Sequence, residues 1–276
     1  MPPLLKSLLL KSLFLMGQFG LDPLRLLRSL RGLPGYGRDW WRFRRDYSGT
    51  MALMPCLHDR FNEAGATKSE YFWQDLLVAR WIHDADPRPE KCVDVGSRID
   101  GFVAHVASFR EIEVFDVRQI TTSIPGVIFR QADLMDRSMM GHWYAEGGYC
   151  DSLSCLHVLE HFGLGRYGDP IDPRGYEVGF ANLVGLLKPG GYFYLSTPVG
   201  HERVEFNANW VFDPRTILRC ADTLGLRLER LAIFNPRSGL RDINMAECKE
   251  EIAALVGEPY NLGIFVFVKP VDSGTN

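Results

Sequence analysis

Several patterns are missing from this 276-residue chain, and each absence removes a chemistry. Its six cysteines, Cys56, Cys92, Cys150, Cys155, Cys220 and Cys248, include no C-x-x-C pair. Structural disulfides are therefore not expected, and a reducing, cytoplasmic setting is. No long hydrophobic run is present: Ser7–Met16 is apolar but broken by Lys11. That is too short to span a bilayer, and no small-residue cleavage site follows it. Internal repeats and low-complexity tracts are absent. The glycine pair Gly96 and Gly101 lacks the middle glycine of a pyrophosphate cradle. Gly101 is followed by Phe102-Val103 rather than Gly-Lys-Ser/Thr, which excludes a P-loop.

What remains is a soluble, globular composition, 46% apolar and 24% charged, with an ample core. The charge is unevenly placed. Residues 1–50 hold nine Lys/Arg against three acids, or +6, so the net −3 leaves −9 on the remainder. Within this arm, Asp22-Pro23 is a helix start and Gly32 a helix stop. Between them Arg25, Arg28 and Arg31 fall on one side and Leu26, Leu27 and Leu30 on the other. Trp40 to Arg45 then mixes aromatics with cations. Peripheral membrane contact through residues 1–50, at the inner face, is one reading. An ordinary surface helix with solvated arginines is the other.

From Ser69 onward the periodicity alternates. A helix is expected over Ser69–His83, strands at Cys92–Val95, Glu113–Phe115, Val127–Phe129, Ser152–Leu156 and Tyr192–Ser196, and helices near Gly101–Phe109 and Tyr176–Leu187. Lys188-Pro189-Gly190-Gly191 reads as a turn. A helix at Pro214–Leu224 and strands at Leu226–Phe234 and Leu262–Val268 complete the pattern, the last two suited to an antiparallel edge. The fold class is α/β, a doubly wound, mostly parallel sheet, with an α-helical basic extension in front. The expected division is residues 1–66 and 67–276.

Cys92-Val93-Asp94-Val95 runs directly into Gly96, and a second apolar run ends on Asp116 twenty residues later. A glycine turn lets a ligand approach the backbone, and an acid at the end of the next strand can hold two ribose hydroxyls. With the phosphate cradles excluded, a cofactor carrying ribose and adenine without phosphate fits. S-adenosyl-L-methionine (SAM) answers that description.

Val93–Gly96, Asp116, Asp133, the Asp151–His161 block and Leu187–Gly191 occur in the order seen in class I SAM-dependent methyltransferases, which the chain resembles from Ser69 onward. Tyr71-Phe72-Trp73-Gln74-Asp75, leading to Val93–Gly101, is similar to a poorly characterised bacterial subfamily often associated with surface-polysaccharide genes. The resemblance implies a Rossmann-like methyltransferase fold and these roles. Gly96, with Ser97 and Gly101, would pass under the methionine part, and Asp94 would order the turn. Asp116 would bind the ribose and Asp133 the adenine amino group. Residues from Leu156 to Glu160 would line the face where the methyl is delivered. Arg98 stands where the family has a second glycine, which bears on cofactor affinity.

His157-Val158-Leu159-Glu160-His161 matches H-x-x-E-H literally, but the glycines at 163 and 165 break any long helix, so neither a zinc peptidase nor a metal site is expected. An alcohol acceptor needs a base, and His161, His157 and His201 are the candidates. The Pro198–Asn209 loop, with His201, Glu202, Arg203, Glu205, Asn207 and Asn209, is a candidate acceptor surface. The leading reading is O-methylation of a small-molecule or glycan acceptor. A non-catalytic scaffold and an RNA methyltransferase are the rivals, the latter disfavoured by the acidic body.

Overall fold

The computed structural model describes residues 3–136, 138, 141, 143 and 147–271. The chain divides into two compact units, Met1–Ala66 and Thr67–Asn276.

The first unit holds α1 (Pro3–Gln18) and α2 (Pro23–Asp46). Asp22 caps α2 by accepting from the Arg25 amide at 2.9 Å, with Pro23 at the first helical position. The helix does not stop at Gly32, contrary to the pattern expectation. It continues through Gly32, Pro34 and Gly35 to Asp46. A side chain at Gly32 would run into the Leu57 carbonyl, so the glycine serves close approach of backbone rather than termination.

The second unit begins with α3 (Glu70–His83), followed by β1 (Cys92–Val95), a helical turn (Ile99–Val103) running into the short α4 (Ala104–Ala107), β2 (Ile112–Asp116), β3 (Val127–Gln131) and β4 (Cys150–Leu156). After α5 (Gly175–Leu186) comes β5 (Leu187–Val199), then the small hairpin β6 (Arg203–Glu205) and β7 (Asn209–Val211). The remainder is α6 (Pro214–Thr223), β8 (Arg227–Asn235), β9 (Gly239–Asp242), α7 (Cys248–Leu255) and β10 (Asn261–Val268). The expected turn at residues 188–191 is absorbed into β5 as a bulge, since Cys150 pairs with Leu187 and Ser152 already with Tyr192.

The main sheet has the order β3-β2-β1-β4-β5-β10-β8-β9. The five strands from β3 to β5 are parallel; β10 slots in antiparallel between β5 and β8. This is a doubly wound α/β fold. Alternation along the strands separates two cores. Phe265 and Phe267 of β10 join a cluster with Phe180 of α5 and Ile217 of α6. Ile264 and Val266 face the opposite side with Val78 and Ile82 of α3. Period-two alternation therefore clothes both faces with helices. Strand order reverses between β1 and β4, and the crevice beyond their carboxyl ends is where such folds bind ligands.

Candidate functional site

β1 enters that crevice at Gly96, whose φ of +70° is left-handed. A Cβ there would lie 2.7 Å from Val158 Cγ1, so backbone geometry and packing both select glycine. The Gly96 amide donates to the Phe115 carbonyl at 2.8 Å, tying the turn to β2. Beneath it Asp94 is fully buried. Its carboxylate accepts from the Ser97 amide (3.0 Å), the Ser97 hydroxyl (2.6 Å) and the Ser154 hydroxyl (2.6 Å). Burial pushes the Asp94 pKa up to about 7 despite these three donors. Ser97 Oγ also accepts from the Leu156 amide at 3.2 Å, so one hydroxyl joins the ends of β1 and β4.

Asp116 ends β2, and its carboxylate is gripped by Arg118: Nε reaches Oδ1 at 3.0 Å, Nη2 reaches Oδ2 at 2.7 Å, and the Arg118 amide donates to Oδ1 at 2.8 Å. The guanidinium lies 4.7 Å from the centre of the Tyr167 ring. Asp133 accepts from the Met135 amide at 2.8 Å.

The end of β4 carries the greatest concentration of buried charge. His157 has φ +58°, a strained value for a non-glycine residue. Its Nδ1 lies 2.5 Å from Glu160 Oε1. Its Nε2 lies 3.2 Å from Glu70 Oε1 on α3, an ion pair without the alignment of a hydrogen bond. Burial opposes protonation, but the flanking carboxylates Glu160 and Glu70 outweigh it and raise the His157 pKa to about 10. Tyr260 from β10's approach donates to Glu70 at 2.8 Å, and the Tyr71 ring stacks on the imidazole at 4.9 Å. An imidazolium enclosed by two carboxylates already carries its proton at neutral pH, which is a structural ion triad and not the state of a base.

His161 is different. Its Nδ1 lies 2.7 Å from the Ala208 carbonyl, so the proton sits on Nδ1 and Nε2 keeps its lone pair. Burial lowers its pKa, Glu160 opposes this, and Arg166, whose Nη1 lies 3.3 Å from Nδ1 and 3.4 Å from Nε2, adds to the lowering. The ring is neutral near pH 7 and able to accept a proton.

One cleft, enclosing about 550 Å³ including its open mouth, is lined by Gly96, Asp116, Asp133, His157, Val158 and His161 among others. Asp94, Ser97, Gly101 and Leu156 do not line it. Asp94 and Ser97 brace the turn from below, and Gly101 is pressed against the Asp75 side chain. His201 is exposed and held by its amide to the Glu258 carbonyl, outside the cleft. The expected acceptor loop is a hairpin whose polar groups are largely engaged: Arg203 with Glu205 at 2.7 Å, Glu202 with Thr216 at 2.7 Å. Arg98 adopts φ −65° and ψ 126°, which any residue tolerates, and its guanidinium pairs outward with Asp100 at 2.8 Å. It does not enter the cleft. Sequence reasoning missed Arg118, Arg166, Tyr167, Glu70 and Tyr260; nothing local marks them. Among the described residues no three His, Cys, Asp or Glu side chains converge as metal ligands do.

The family model described as "Caenorhabditis protein of unknown function, DUF268" matches residues 114–245, 132 of the chain's 276. No curated protein matches the chain. Among solved structures the chain is similar to the cyclase SpnF, with 16% identity over 73% of this chain and 82% of that one, TM-score 0.49. It is also similar to the O-methyltransferase of a trans-AT PKS multienzyme of Brevibacillus brevis in complex with S-adenosyl-L-homocysteine (11% identity, 71% and 72% covered, TM-score 0.49). A third is an O-methyltransferase family protein from Burkholderia thailandensis (15% identity, 75% of this chain, TM-score 0.45), of whose length the chain spans 60%. At such identities and scores, the chemistry of the cleft rests on its own residues.

Proposed function

We propose that the Thr67–Asn276 unit is a SAM-dependent methyltransferase that acts on a hydroxyl of a small-molecule or glycan acceptor in the cytosol. The observation that carries this reading is that Gly96, Asp116, Asp133 and His161 line one cleft at the switch point of the sheet. The residues fit an adenosyl cofactor. The glycine turn exposes backbone, Phe115, Ala132 and Leu134 supply apolar wall, and two acids stand at successive strand ends. Asp116 would hold the ribose hydroxyls once the half-exposed Arg118 swings aside. Asp133 would meet the adenine amino group, and the Gly96 turn the methionine part.

When bound, the cofactor supplies an electrophilic methyl group. The chain's own residues then position the acceptor and remove its proton. His161 Nε2 takes the hydroxyl proton, and the Ala208 carbonyl holds the ring in the required tautomer. The Glu70–His157–Glu160 triad keeps the end of β4 in place. His157 and His201 have no part in proton removal in this reading.

A second reading, a binding or scaffold protein without catalysis, is favoured by the Arg118 grip on Asp116. Titration calorimetry with SAM and with S-adenosylhomocysteine separates the two. The methyltransferase reading expects both to bind and Asp116→Ala to weaken both by about tenfold or more, one lost charge-assisted bond being worth ~1.5–3 kcal/mol. Absence of binding by either ligand overturns it.

A further inference from the structure

The first unit exposes more apolar surface than a solvated arm should. In α1, Leu8, Leu9 and Leu10 are 55%, 49% and 57% exposed, and Phe14 is 64% exposed. Consecutive helical residues turn through about 100°, so Leu8, Leu9 and Leu10 span about 200° of the circumference and Phe14 extends that to about 240°. Gly20, at φ +73°, ends it, with the Leu21 amide donating back to the Met16 carbonyl at 3.0 Å. α2 is built differently. Leu26, Leu27, Leu30 and Trp41 are all exposed and fall within one stripe about 100° wide. Arg25, Arg28 and Arg42 lie on the opposite side. Elsewhere Asp39 pairs with Arg38 and Arg60, and Arg31 stacks on Phe61. Among the described residues, Arg25, Arg28 and Arg42 make no ion pair.

We propose that the first unit docks on an anionic bilayer surface, with α1 sunk in one leaflet and α2 lying among the headgroups. A protein groove covers one face of a helix and leaves the others wet, whereas α1 exposes apolar side chains over most of its circumference, broken by Lys11; acyl chains surround a helix completely. A 16-residue helix is about 24 Å long, short of the ~30 Å hydrocarbon core, so it sits in the bilayer without crossing it. No helix among the described residues is long and apolar enough to cross a membrane. The +6 charge of residues 1–50 against −9 on the rest gives the arm its preference for an anionic surface. This inference does not depend on the cleft or on what it binds.

The test is co-sedimentation of the full chain with phosphatidylcholine vesicles, with or without about 30% phosphatidylserine. The protein is expected to pellet with the anionic vesicles, and raising the ionic strength from about 0.1 M to about 1 M should release part of it. Replacing Arg25, Arg28 and Arg42 by Glu should weaken partitioning by about fivefold or more per position. Leu9→Asp with Phe14→Asp should abolish it; all five positions are solvent-facing, so an unchanged circular dichroism spectrum should accompany the loss. No pelleting of the wild-type chain, or equal pelleting with both vesicle types, overturns the proposal. So does a concentration-dependent dimer, seen by light scattering and dispersed by Leu9→Asp, which would assign the leucines to a second copy. Retention on single-stranded RNA without vesicle binding would overturn it as well.

Discussion

His161 Nδ1 lies 2.7 Å from the carbonyl oxygen of Ala208, and that one hydrogen bond determines which nitrogen of the ring carries the proton. A carbonyl can only accept, so Nδ1 must donate and Nε2 keeps its lone pair, with Arg166 Nη1 3.4 Å from it.

His161→Gln is accordingly expected to lower kcat by about 10²–10⁴-fold, the usual contribution of a positioned base, with S-adenosylhomocysteine affinity unchanged. Because burial and Arg166 hold the ring below its ordinary pKa of 6.5, the acid limb of the kcat/KM profile should fall below pH 6.5. Calorimetry beside steady-state kinetics checks both. An equal loss of cofactor affinity would make His161 a structural residue instead.

The ion triad predicts a pH dependence of stability. His157 is raised above its unfolded value of 6.5 to about 10, so the native state holds a proton that the unfolded chain has released between those values. Stability from this group is complete below pH 6.5 and is lost as pH rises towards 10. Glu70 is shifted the other way: burial raises it, but His157 outweighs burial and lowers it from 4.5, so its share is present above 4.5 and lost in acid. Glu160→Gln removes the nearer partner of His157 and is expected to cost about 3–5 kcal/mol at pH 7. Urea denaturation at a series of pH values reads both effects; a Glu160→Gln variant as stable as wild type would contradict them.

Gly96→Ala adds a Cβ at a left-handed φ and 2.7 Å from Val158. The backbone part alone should cost ~1–2 kcal/mol. Val158→Ala removes the contacting methyls, so the double variant should recover the steric part and keep the backbone part. Melting temperatures of the four proteins form the cycle. Full additivity would mean that Val158 does not press on the turn.

Arg118→Ala frees the Asp116 carboxylate, which accepts three bonds from Arg118. Only the amide bond survives the substitution. If Asp116 takes ribose hydroxyls, affinity for S-adenosylhomocysteine should rise by severalfold, since the competing guanidinium is gone. A fall would show that Arg118 itself binds the ligand.

Much of the fold was legible because strand patterns are local. Cys92–Val95 was read with the bounds it has, and the turn after it could be read from one glycine. The hairpin of β6 and β7 was not legible: strands of three residues carry too little periodicity to detect, and their residues read as a polar loop. That loss mattered, because the hairpin brings Ala208 to His161 across 47 residues. Gly32 misled for the opposite reason. Its local signal as a helix stop was sound, but a crossing backbone at Leu57 claimed the glycine.

By itself, then, the sequence determined the alternation of strands and helices, the glycine turn at Gly96, the acid at Asp116 and the absence of phosphate cradles, all of which depend on neighbours within a few residues. Only the tertiary structure gives different surroundings to three histidines that sequence treats alike. His157 is protonated because Glu70 and Glu160 enclose it, His161 is neutral because burial and Arg166 oppose its protonation, and His201 stands outside the cleft. The state of a titratable group is set by what surrounds it in space, and chain order does not record those surroundings.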